Sequence, residues 1–85
     1  MTLAELGQQI RARREEAGLN IEDVAARIKV SSRILLAIEA GAMEALPHVV
    51  YTKGFTRSFA LVVGLPPEEV AARLEEIFPL SSILD

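Results

Sequence analysis

The chain has no cysteine and no tryptophan, and its 85 residues include only one tyrosine and three phenylalanines. Without cysteine there is no disulfide scaffold and no thiolate zinc site. That absence also fits a reducing compartment. Five glycines and four prolines are too few for a collagen-like or low-complexity chain. No run approaches the roughly eighteen apolar residues that a membrane span requires. The uncharged stretch from Ser58 to Pro67 is short and is broken by Gly64 and Pro66. The first thirty residues carry ten charges and no apolar signal core. The expectation is a soluble, cytoplasmic chain.

Hydrophobic residues make up 51% of the chain, and its mean hydropathy is +0.30. That apolar content excludes disorder, and the length allows one small domain. Formal net charge is −3, unevenly distributed. Residues 1–64 hold eight basic and seven acidic side chains. Beyond them Arg73 stands alone against Glu68, Glu69, Glu75, Glu76 and Asp85. There is no strong basic patch of the kind a polyanion attracts.

Helical signals dominate. Thr2-Leu3-Ala4-Glu5 is a capping box, followed by Leu3, Leu6 and Ile10 at helical spacing. Gly18 supplies a left-handed stop. Asn20 and Ser31 are N-cap candidates for two short helices, the second ending at Gly41. Ala42 to Val50 reads as a loop containing Pro47. Two further helices follow, the last opened by Pro66-Pro67 and stopped by Pro79. The expected fold is all-α: a compact five-helix domain over 1–79, with helices at about 3–17, 21–28, 32–40, 51–63 and 67–78. Residues 80–85 form a tail.

Residues 19–41 carry a repressor-like helix-turn-helix pattern. Asn20 caps, Val24-Ala25 packs, Val30-Ser31 turns, and Ile38-Glu39-x-Gly41 closes. A DNA reader of this type lays its second helix in the major groove. The candidate DNA-binding residues are then Lys29, Ser31, Ser32, Arg33 and Leu36. Ser32, Arg33, Leu36 and Ala37 are expected to face outward. Among them only Arg33 can make a bidentate guanine contact. Ile21 stands where repressors favour glutamine, and Lys29 where they often have glycine. The reading surface is therefore sparse.

Three of the four aromatics lie in the fourth helix. Tyr51, Phe55, Ser58 and Val62 form a narrow stripe, with Lys53 and Arg57 on the other side. Phe59 and Val62 are expected in the core. Tyr51 and Phe55 fit either the core or a partner contact. Gly54 is costly inside a helix. Close approach of another backbone or a contact with a partner would explain it.

The run Tyr51-Thr-Lys53-Gly54-Phe55-Thr-Arg57-Ser58-Phe59-Ala60, with Val63-Gly64-Leu65 after it, resembles the signature of the RodZ family of bacterial cell-shape proteins. Ile10-Arg11-x-Arg13-x-Glu15-x-x-Gly18-Leu19 and Leu46-Pro47 are similar as well. The resemblance implies a cytoplasmic domain that docks on the actin-like filament protein MreB, mainly through the fourth helix. Tyr51 and Phe55 would be its anchors, and Lys53 and Arg57 its flanking contacts. In that family the domain precedes a single membrane span. These 85 residues hold no such span, and a fragment or stand-alone relative is expected. The alternative is a sequence-specific DNA-binding transcriptional regulator. A third reading is a dimerisation module using Leu80 to Leu84.

No catalytic constellation is visible. Neighbouring acids such as Glu75-Glu76 point about 100° apart on a helix and do not converge on one atom. His48 is isolated and reads as a loop residue. Ser31 and Ser32 read as caps. Arg11, Arg13 and Arg14, partly neutralised by Glu15 and Glu16, read as a solvated face. A non-enzyme without cofactor or metal is expected.

Overall fold

A computed structural model describes residues 1–80 of the chain. Five α-helices occupy that span: α1 (Leu3–Glu16), α2 (Ile21–Ile28), α3 (Ser32–Ala40), α4 (Val49–Val62) and α5 (Pro67–Ile77). A 3-10 turn, Met43–Ala45, lies between α3 and α4. No strand occurs among the described residues. The domain is all-α, as the spacing predicts. Of the tail, only Leu80 is described. The dimerisation reading built on Leu80 to Leu84 otherwise falls outside the described residues.

Local chemistry sets the helix starts. At α1 the Glu5 N–H donates to the Thr2 hydroxyl at 3.2 Å, and the Thr2 N–H donates to the Glu5 carboxylate at 2.8 Å. The Thr2 backbone N–H, and after it the Thr2 hydroxyl, hold the Glu5 carboxyl below its ordinary value. The Asn20 side chain accepts from the Asp23 N–H at 2.8 Å to open α2, and Ser31 accepts from Ile34 at 3.3 Å to open α3. α4 starts two residues earlier than the sequence suggests. His48 is the reason: its Nδ1 accepts the Val50 N–H at 3.1 Å. The isolated histidine is a helix cap.

α3 is the central helix, with α1, α2 and α4 all packed on it. The α1–α3 crossing is very close. A Cβ placed on Gly7 would lie 2.3 Å from the Ile38 carbonyl oxygen and 2.6 Å from that of Glu39. Gly41, at φ 68°, sits equally close to Ala4. The core gathers Leu3, Leu6 and Ile10 from α1, Val24 from α2, Leu35 and Ile38 from α3, Phe59 from α4, and Val70 and Leu74 from α5. Val30 fills the turn between α2 and α3, as the pattern requires.

The buried side of α4 is rotated away from the aromatic stripe. Thr52, Thr56, Phe59, Ala60 and Val63 face inward, while Val62 is half-buried. Two threonines can be buried here because their hydroxyls are satisfied locally. Thr52 Oγ1 donates to the Pro47 carbonyl at 3.0 Å, and Thr56 Oγ1 to the Thr52 carbonyl at 2.7 Å.

Candidate interaction surfaces

The turn between α2 and α3 bends through Lys29, which has φ 61° and ψ 41°. It is the one non-glycine residue with positive φ among the described residues. A β-carbon in that region costs about 1–2 kcal/mol. Lys29 therefore adopts the conformation that glycine takes in related turns, and its side chain projects into solvent.

Around that turn Arg27, Lys29 and Arg33 are exposed. None of the three has an ion-pair partner among the described residues. Ser31 is exposed, but its hydroxyl caps α3; Ser32 is half-buried. Leu36 projects outward at 52% exposure. Ala37, expected to face outward, is buried. Helices on several sides of α3 widen its covered arc to include Leu35, Ala37, Ile38 and Glu39. The outward face of α3 thus offers one cation and one leucine. An open groove runs beside its N-terminus, with Ile34, Leu46 and Pro47 as apolar lining and Arg33 and Glu44 as charged lining.

On α4 the four predicted contact residues do not share one face. Tyr51 stands out at 61% exposure, and Arg57 is also exposed. Phe55 is half-buried and packs against the core cluster. Lys53 lies on the opposite flank, with its ammonium 2.6 Å from the Glu75 carboxylate of α5. It fastens α5 to α4, so it is less available to an outside partner than the sequence implies. Val50, missed in the sequence, is exposed at 45% beside Tyr51. At 100° per residue, Val50, Tyr51, Gly54, Arg57 and Ser58 fall within an arc of about 120°, and all five are exposed. Gly54 lies at its centre. No atom from elsewhere in the fold comes within 4 Å of a Cβ built there. Among the described residues, close approach of another part of the chain therefore does not explain that glycine.

The arginines of α1 differ from their predicted role. Arg14 forks onto Glu39 of α3, with Nε at 2.6 Å from one oxygen and a terminal nitrogen at 3.1 Å from the other. Its second terminal nitrogen donates to the Leu19 carbonyl at 3.0 Å. The hydrogen bonds Arg14 donates to Glu39 push its pKa above its ordinary value. Arg13 donates to the Gly64 carbonyl at 3.1 Å. Only Arg11 fits the solvated face, 3.6 Å from Glu15 with both side chains exposed. The sequence signal was the acid in Ile38-Glu39-x-Gly41, whose partner lies 25 positions earlier.

No helix among the described residues is long and apolar enough to cross a membrane. Comparison with curated proteins and with solved structures gave no match. A family model described as a helix-turn-helix domain matches residues 9–70. That span takes in most of α1, all of α2 to α4 and the start of α5. With most of its length matched and its α2–turn–α3 geometry of the same kind, the chain belongs to the helix-turn-helix domain family.

Proposed function

We propose that this domain is a protein-docking module, similar to the cytoplasmic domain of RodZ, that binds the filament protein MreB through α4. One observation carries the reading: the chain's single tyrosine projects from the first turn of α4 at 61% exposure, with Val50 beside it. An exposed tyrosine with an apolar neighbour and an arginine on the same face has the composition of an interface hot spot. Tyr51 would supply apolar area and a hydroxyl, and Arg57 would set orientation. Phe55, four residues on, would support Tyr51 from the core side. The reading gives the domain a cytoplasmic location, at the inner-membrane face where a span follows in longer relatives. It assigns no catalytic step.

The test is co-sedimentation with polymerised MreB. Wild type is expected to pellet, and Tyr51→Ala to lose about tenfold or more in affinity with an unchanged melting curve. Phe55→Ala is expected to weaken binding and also lower stability, because that ring contacts the core. Wild type remaining in the supernatant would overturn the reading.

A second reading, DNA binding by α3, is favoured by family membership and by three cations at the turn that have no ion-pair partner among the described residues. It predicts duplex affinity that falls steeply with salt, with a log–log slope of about −3 for three phosphate contacts. It also predicts that Arg33→Ala relaxes sequence preference. An affinity for duplex indifferent to salt and to Arg33 would exclude it.

A further inference from the structure

A glycine in mid-helix needs a reason, since alanine is favoured there by a wide margin. Gly7 has one, in the carbonyls of α3 against which it packs. Gly54 has none within the described fold: its φ is not positive, and a Cβ placed on it would meet open space. Yet it occupies the centre of the exposed arc of α4, with Val50 and Tyr51 toward one end and Arg57 and Ser58 toward the other. We propose that Gly54 is the seat on which a helix of the partner crosses α4 with its backbone in close contact, and that this helix carries a carboxylate to Arg57. The inference rests on the reading of α4 as the docking face.

The charge pattern selects the occupant. α4 contains no acidic residue, and its two cations are unequal. Lys53 is neutralised by Glu75, whereas Arg57 is exposed with no ion-pair partner among the described residues. A second copy crossing at Gly54 in a symmetric pair, the commonest dimer geometry, would bring α4 against α4, with cations on both sides and no carboxylate between them. Like charges brought together oppose such a pairing. A different chain with an acidic helix supplies what the face lacks. Val50 and Tyr51 would then cover the apolar side of the crossing. Small residues at a crossing let helix backbones approach more closely than any side-chain layer allows.

The test separates fold from contact. Gly54→Ala should raise the melting temperature by about 4–8 °C, because it gains helix propensity and clashes with nothing. The same variant should lose about tenfold or more in co-sedimentation with polymerised MreB. Arg57→Glu should lose binding to a similar extent, and Arg57→Lys should retain most of it. Gly54→Ala binding as wild type does, while Tyr51→Ala fails to bind, would overturn the inference and leave the docking face standing. Wild type remaining in the supernatant would overturn both. Unchanged binding by Arg57→Glu would overturn the carboxylate assignment. A wild-type dimer in sedimentation equilibrium that Gly54→Ala converts to monomer would overturn the foreign partner in favour of a second copy.

Discussion

Glu39 and Arg14 show how much one pair of side chains can organise in a small domain. Their fork joins α1 to α3, and the remaining donor of Arg14 holds the Leu19 carbonyl at the entrance to α2. Both side chains are largely removed from water, at 13% and 6% exposure. Water is therefore a poor substitute if one of them is lost. Glu39→Ala is expected to cost about 3 kcal/mol, as for breaking a covered pair, because the Arg14 charge then loses its partner where little water reaches it. Replacing both by methionine should restore most of that stability, since neither charge is then left alone. Urea midpoints for Glu39→Met, Arg14→Met and the double variant, compared with wild type, measure the coupling directly.

At the scale of elements, two helices each carry an interior glycine, and the two should respond to alanine in opposite directions. On α1, Gly7→Ala drives a methyl group into backbone atoms of α3 that no rotamer change can move. The expected cost is about 3 kcal/mol, the upper part of the range for overpacking, read as a lowered melting temperature. On α4 the same change meets no atom of the described residues. The sequence distinguishes the two poorly, because a glycine's neighbours in space are not written beside it. Local signals were legible: Thr2 with Glu5, Asn20, Ser31 and Gly41 each act within four residues, and the structure uses each of them. Val30 was legible too, because a turn of that length leaves one gap to fill. Long-range choices were not. Arg14 and Glu39 are far apart in the chain. The inward turn of Thr52 and Thr56 depends on hydroxyls finding backbone acceptors, which periodicity does not register. Ala37 disappears from the surface because several helices crowd α3. For the candidate site, Tyr51 and Arg57 were legible by type and spacing. The use of Lys53 by Glu75, and the exposure of Val50, required the packing of α5 and the loop before α4.

For the whole molecule, the family match and the folding unit differ in extent. The match spans residues 9–70. Leu3 and Leu6 precede it, Leu74 and Phe78 follow it, and all four are buried. Each contributes about 1.5–3 kcal/mol on burial. Together that is about 6–12 kcal/mol, comparable to the full stability of a small domain. A peptide limited to residues 9–70 would also lose the α1 capping box and the Gly7 crossing. It is expected to show no cooperative thermal transition by circular dichroism, whereas residues 1–80 should melt in one step. The helix-turn-helix is thus embedded in the domain: α1 and α5 supply the core that holds it.

The close backbone approach of α1 to α3 at Gly7 has a consequence for motion. Packed helices slide past one another through small rearrangements of the side chains between them. Where Gly7 meets the Ile38 and Glu39 carbonyls, backbone lies on backbone, and the Arg14–Glu39 fork clamps the same crossing. The two helices must therefore travel as one body. A partner gripping α3 meets a surface that cannot yield. One that docks on α4 meets a helix seated on side chains, joined to α5 by packing and by the Lys53–Glu75 ion pair.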